Sequence, residues 1–290
     1  MSTNLTTIIS SASKTVEINR DKPTIIIGER INPTGRKKVL AALKEGNFDL
    51  VKHDALRQVA AGAAILDINA GVPGADEVLL LPQVMKVAMA AVDVPLCIDT
   101  ANPQALAAAL ELYEGKALVN SVNGEKKSLD SILPLVKEHG TAVIGLCMGD
   151  DGIPPTPQDR LRVAASIIER AAQMGIPPED IVIDPLILTL GADSQAGRIS
   201  LETIALIVKE FGVNITMGSS NVSFGLPDRK YLNAAFLTMA IQAGLTCPIT
   251  NPLVMEIQAA TLAADLALGR DNYGMNWIKA YRKRQKAKAA

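Results

Sequence analysis

Seven short apolar runs in this chain close on a carboxylate or an amide. IIIGER runs to Glu29, AILDIN to Asp67 and Asn69, PLCIDT to Asp99, ALVNS to Asn120, IVIDP to Asp184, NITMGSSN to Asn221 and CPITN to Asn251. A carboxylate such as Asp99 or Asp184 can accept two N–H donors from a planar, amidine-like edge. An amide such as Asn120 or Asn221 both donates and accepts, so the set suits a heterocycle with mixed hydrogen-bonding edges. Glu29, Asp67, Asp99 and Asp184 could alternatively hold Mg²⁺, a site in which Asn69, Asn120 and Asn221 make poorer sense. None of these runs contains Lys or His. Lys22 and Lys116 precede their strands, so a Schiff-base lysine is not expected. The two histidines, His53 and His139, fall within or at the end of helical patterns, on the outside of the fold. Cys97, Cys147 and Cys247 lie in or beside the apolar runs without metal-ligand spacing. They read as small buried apolar residues and suggest a reducing compartment.

Such side chains converge only if the runs are neighbouring parallel strands, whose C-terminal ends share one mouth. Strands are expected at 24–28, 65–69, 96–99, 118–121, 142–147, 181–185, 214–218 and 248–250, each followed by a helical pattern. Helix starts are assigned to Asn47, Ser128, Thr156 with Pro157 and Asp159, Ser200, Asp228, and Asn251 with Pro252. Stops are assigned to Gly62, Gly140, Gly175, Gly212, Gly244 and Gly269. Eight such units in 290 residues point to an α/β fold, a (β/α)8 TIM barrel, rather than an open sheet, and no GxGxxG or GKS/T signature is present. The expected organisation is an N-terminal extension over 1–20, a barrel over 21–271 and a basic helical tail over 272–290. The extension could form a strand pair beneath the barrel. The loops GDDGIPPTPQD and LTLGADSQAGRIS are candidates for a rim or lid.

With 29 basic and 30 acidic residues, a formal charge of −1 and 3% aromatics, the chain lacks the basic, ring-rich surface of a nucleic-acid binder. No run approaches the ~18 apolar residues of a membrane span, and the N-terminus lacks signal-peptide features, so a cytoplasmic setting is expected.

In order and spacing, GERINPTG, LDINAG, CIDT, LVNSVNGE, IDPLIL, GSSNVSFGLPDR and FLTMAIQAGL resemble the pterin-binding, corrinoid-dependent methyltransferases across roughly residues 24 to 270. That family includes the methyltetrahydrofolate:corrinoid protein methyltransferases, the methylcorrinoid:tetrahydrofolate methyltransferases and the folate domain of cobalamin-dependent methionine synthase. The resemblance implies a pterin-binding TIM barrel that moves a methyl group between cobalt and N5 of tetrahydrofolate. It implies that Asp99, Asn120 and Asp184 hold the pterin ring, that Asn221 lies beside N5 as the catalytic group, and that Arg229 lies near the substrate. Glu29, Arg30 and Asn32 would sit on the first mouth loop, in contact with substrate or as a Glu29–Arg30 network. Asp67, Asn69 and Ser219 would support the residues that touch the ring. No bound metal is implied. The chain lacks an Asp-x-His-x-x-Gly cobalt-ligating motif, so the cobamide is expected on a separate corrinoid protein. Homodimers are usual among the relatives. Dihydropteroate synthase shares the fold, but its lysine–arginine strand-end motif is replaced here by Gly218-Ser219-Ser220-Asn221-Val222-Ser223. A pterin enzyme of that type and a Mg²⁺-dependent barrel lyase are the alternatives.

Overall fold

The computed structural model describes residues 4–289; residues 1–3 of the expected extension and 290 of the expected tail lie outside them. A two-stranded antiparallel hairpin, β1 (Thr7–Ser10) and β2 (Thr15–Ile18), comes first. Eight parallel strands follow: β3 (Ile27–Ile31), β4 (Ile65–Asn69), β5 (Leu96–Asp99), β6 (Leu118–Asn123), β7 (Ala142–Leu146), β8 (Ile181–Asp184), β9 (Asn214–Gly218) and β10 (Cys247–Thr250). They close in chain order, β10 pairing with β3, so the fold is a TIM barrel.

Among the described residues, ten α-helices surround it: α1 (Lys37–Lys44), α2 (Asp49–Ala60), α3 (Glu77–Ala91), α4 (Pro103–Leu112), α5 (Lys126–His139), α6 (Pro157–Gln173), α7 (Ala196–Phe211), α8 (Arg229–Ala243), α9 (Met255–Ala267) and α10 (Met275–Ala289). Glycine ends them as expected where the chain must turn left-handed, most clearly at Gly140 (φ 62°) and Gly212 (φ 69°).

Alternation along each strand sorts the side chains. Leu66, Ile68, Leu96, Ile98, Val119, Val143, Ile181, Ile183, Ile215 and Met217 join the core beneath the helices. Ile27, Ile65, Cys97, Leu118, Ala142, Ile144, Val182 and Cys247 fill the interior together with Ile9 and Ile18 of the hairpin. Burying each large aliphatic side chain is worth about 1.5–3 kcal/mol. Two residues along from these interior positions, on the same inner face, come Glu29, Asp67, Asp99, Asn120 and Asp184. The period of two therefore seats the polar set directly on the interior apolar layer, at the C-terminal mouth.

The hairpin closes the other end. Asn214 Nδ2, at the start of β9, lies 2.9 Å from Ile18 O, 3.0 Å from Thr7 Oγ1 and 3.2 Å from Leu5 O. Ser10 N–H donates to Lys116 O at 2.9 Å, and the Thr7 hydroxyl donates to Glu179 O at 2.6 Å.

Several local expectations need correction. The first barrel strand is Ile27–Ile31 rather than 24–28, so Glu29 and Arg30 stand on the strand and not on a loop. The β3–β4 register shifts between Gly28 and Ile31, which lets the strand continue past its apolar run. Thr156 does cap α6, accepting from Asp159 N–H at 3.2 Å. Ser128 and Ser200 cap nothing: α5 and α7 begin at Lys126 and Ala196, so LTLGADSQAGRIS is loop only as far as Gln195. Asn47 and Asn251 instead close turns onto Asp49 N–H and Leu253 N–H. Asp228 precedes α8 in the left-handed region without a side-chain bond.

Candidate active site at the barrel mouth

Three successive strands, β4, β5 and β6, bring four of the polar residues into interlocked pairs. Asn69 Nδ2 donates to Asp99 Oδ2 at 3.1 Å, and Asn120 Nδ2 donates to Asp67 Oδ1 at 3.1 Å. Register sets the first pair, since Asn69 faces Asp99 across β4 and β5; the second reaches over β5, because Asn120 is level with Asp99 and Asn69 while Asp67 lies two residues earlier on β4. No cation bridges either carboxylate among the described residues. Burial is the main force on both. It pushes the Asp99 carboxyl up to about 6, opposed by the Asn69 bond and aided by the charge of Glu77. It pushes Asp67 well above the ordinary carboxylate range, with Asp99 adding repulsion and the Asn120 bond opposing. Behind Asp99, the Thr100 hydroxyl donates to Glu77 Oε1 at 2.7 Å.

Asp184 ends β8 on the far side of the mouth and is 6% exposed. Its Oδ1 accepts from Leu186 N–H at 2.7 Å. Burial pushes its carboxyl up to about 7, while the N–H groups of Leu186 and Gly218 and the charge of Arg160 pull it down. Beside it, the chain leaves β9 in a 3-10 turn, Ser219–Ser223. The turn presents Asn221 outward, and its carboxamide makes no hydrogen bond among the described residues. Ser219 is fully buried and donates back to Met217 O, a supporting position. The Ser220 hydroxyl donates to Glu29 Oε1 at 3.2 Å. Arg229 braces the turn from α8, donating to Ser223 Oγ at 3.0 Å and Ser220 O at 2.8 Å while lying over the Phe224 ring.

The mouth thus gathers Glu29, Asp67, Asn69, Asp99, Asn120, Asp184 and Asn221. Glu29 bonds to Ser220, while Arg30 reaches it only through charge, so the direct network is Glu29–Ser220 rather than Glu29–Arg30. The Asn32 side chain is engaged in its own turn with Thr34 N–H. Sequence reasoning missed Ser220, Glu77 and Arg160. Ser220 was legible in principle, lying one residue before Asn221 in a five-residue turn. An open groove of about 440 Å³ lies beside the rim loop after β7, lined by Gly124, Ile153 and Arg162, away from the strand-end cluster. The chemistry-bearing cluster remains at the strand ends. Among the described residues, no group of three or more His, Cys, Asp or Glu is arranged to hold a metal ion.

A family profile described as pterin binding enzyme matches residues 28–251, from β3 through β10. The chain belongs to the pterin-binding enzymes. Within them it is 32% identical over 266 residues to a methylcorrinoid:tetrahydrofolate methyltransferase from Eubacterium limosum, covering 89% of this chain and 96% of that protein. It is 29% identical over 256 residues to methionine synthase from Mycobacterium tuberculosis, 84% of this chain but 22% of that much longer protein. The resemblance to the corrinoid-dependent methyltransferases is thereby shown, and this pterin-binding enzyme belongs with them. Among solved structures, it is similar to dihydropteroate synthase from Yersinia pestis with a pterin–sulfa conjugate (TM-score 0.69, 18% identity, 90% of this chain and 98% of that one). It is also similar to the Xanthomonas albilineans enzyme with 4-aminobenzoic acid (TM-score 0.67, 20% identity, 91% and 98%). At these identities the likeness concerns the barrel alone. No helix among the described residues is long and apolar enough to cross a membrane.

Proposed function

We propose that this pterin-binding enzyme moves a methyl group between the cobalt of a separate corrinoid protein and N5 of tetrahydrofolate. The observation that supports it most is the chemistry of the mouth: buried carboxyls of Asp99 and Asp184, pushed up to about 6 and 7 and bonded only to amides and backbone N–H groups. Acceptors kept from water without a cation suit an uncharged ligand edge rich in N–H donors, as a pterin ring offers. The acceptor set therefore suits such a substrate.

The corrinoid cobalt supplies or receives the methyl group, and no covalent step is left for this chain. Asp99 and Asp184 hold the ring from two sides of the barrel, Asn69 fixes the Asp99 carboxylate, and Asn120, itself bonded to Asp67, reads a mixed edge of the ring. Asn221, unbonded and exposed on its turn, is free to orient toward N5 and strengthen its hydrogen bond as charge develops there. One site serves both directions by microscopic reversibility. Arg229 and Ser223 hold the turn that carries Asn221, and Ser220 ties it to Glu29. The partner's flat cofactor has to approach the open mouth, so the loops after β7 and β8 belong to its docking rim. A homodimer and a cytoplasmic setting belong to the same reading.

A methyl-transfer assay with methylcobalamin and tetrahydrofolate, then with a purified corrinoid protein in each direction, tests it. Transfer is expected to saturate at lower concentration with the protein-borne corrinoid, because a docked partner adds rim contacts. Absence of transfer in both directions, with no tetrahydrofolate binding, overturns the reading.

A further inference from the structure

Arg160, on the first turn of α6, is 2% exposed and makes no salt bridge among the described residues. Its guanidinium is bound by neutral oxygens. Nε donates to Pro154 O at 2.9 Å. Nη1 lies 3.1 Å from Pro185 O, 2.8 Å from Leu186 O and 3.4 Å from Ser200 Oγ. The Ser200 hydroxyl also donates to Leu186 O, at 2.7 Å, which explains why Ser200 is buried inside α7 instead of capping it. Leu186 has φ 63°, a conformation that costs a side-chain-bearing residue about 1–2 kcal/mol. Its N–H is the group that bonds Asp184. A buried cation without a contacting carboxylate is costly, and an apolar side chain of similar bulk would fill the space at less cost. The guanidinium fork, however, can grip three carbonyls in one plane.

We propose that Arg160 is a positioning residue for substrate: it clamps the Pro185–Leu186 turn that aims Asp184 and supplies that carboxylate with a fixed, buried positive charge. The inference rests on Asp184 being a pterin-binding group. The charges around the pair are few. Asp184 faces Arg160, the thiols of Cys147 and Cys247, and the N–H groups of Leu186 and Gly218; Arg160 also faces Asp193. Burial raises both thiols far above neutrality, so they carry no charge in the working range. Arg160 is thus the only positive side chain acting on Asp184 among the described residues.

Carbon-13 carboxyl NMR of the ligand-free protein, with the Asp184 signal assigned through Asp184→Asn, reads this without pterin. The Asp184 midpoint near 7 in the unaltered protein is expected to rise by about one pH unit in Arg160→Gln and to stay near 7 in Arg160→Lys. Tetrahydrofolate affinity at pH 7 should fall about 5-fold in Arg160→Gln and recover most of the loss at pH 9, a pattern that simple destabilisation would not give. If Arg160→Gln fails to fold, Arg160→Lys decides: a retained midpoint with several-fold weaker binding supports the clamp, and unchanged binding overturns it. An unmoved midpoint in folded Arg160→Gln, with intact binding, overturns this inference alone. A midpoint displaced as expected, in a protein that binds no tetrahydrofolate at all, supports the clamp and removes the pterin reading alone.

Discussion

Burial raises the carboxyls at both ends of β8, but only one of them has a cation in contact. Asp180, at the closed end, accepts from Lys116 Nζ at 2.5 Å, so its buried charge is already matched. Asp184, at the open end, is bonded only by backbone N–H groups, with Arg160 acting on it through charge alone, and its carboxyl is pushed up to about 7. The same contrast holds around the barrel. The closed end is satisfied by the hairpin, with Asn214 reaching Leu5, Thr7 and Ile18, whereas at the mouth Asp67 and Asp99 repel each other across paired amides. One end is finished by folding, and in the proposed reading the other is finished by the pterin.

The largest effect expected from breaking this contrast is on binding. Asp184→Ala should weaken tetrahydrofolate by about 2–4 kcal/mol, roughly 30- to 1,000-fold, because charge-assisted bonds of about 1.5–3 kcal/mol each are lost. Circular dichroism should meanwhile show the fold retained. Next comes Asn221→Ala, expected to lower kcat about 100-fold with a smaller effect on pterin affinity, as for loss of one oriented donor. Steady-state kinetics would show it, and a normal kcat would remove Asn221 from N5. At the closed end, Asp180→Ala should cost about 2 kcal/mol in urea denaturation by stranding Lys116, and leave tetrahydrofolate affinity unchanged.

A last effect, of similar size, sharpens the contrast through pH. The folded Asp99 carboxyl sits at about 6, above the ordinary 3.8, so the fold favours its neutral form. Its contribution to stability is present below about pH 4 and is lost as pH rises through 6. Asp99→Asn should therefore stabilise the ligand-free protein by about 1–3 kcal/mol above pH 6 and not at all below about pH 4. Thermal melts across that range would check it; a variant less stable at pH 8 would contradict the strain assigned to the mouth.

The barrel and its mouth were legible because both rest on local periodicity. Apolar runs ending in Asp67, Asp99 and Asp184 declare buried strands, and a period of two assigns those carboxylates to the inner face. Where tertiary partners compete with local ones, legibility ends. Ser200 has the composition of a helix cap, yet its hydroxyl is taken by Leu186 O. Glu29 and Arg30 look like a loop start, but a register shift lets β3 run on through them. Arg160 gave no signal, because its partners are carbonyl oxygens of Pro154, Pro185 and Leu186, whose side chains bear no mark of the contact.

Proton release on binding tests the central claim most directly. Below pH 7 the Asp184 carboxyl is largely protonated, and accepting pterin N–H groups requires it ionised, so binding should expel a proton and weaken as pH falls. Calorimetric titration of tetrahydrofolate in buffers of differing ionisation enthalpy is expected to show release of about one to one and a half protons per site at pH 6, most of it from Asp184 and the rest from Asp99, and almost none at pH 8.5. Binding that exchanges no proton at pH 6, or that tightens on acidification, would contradict a mouth whose carboxylates are completed by the pterin edge.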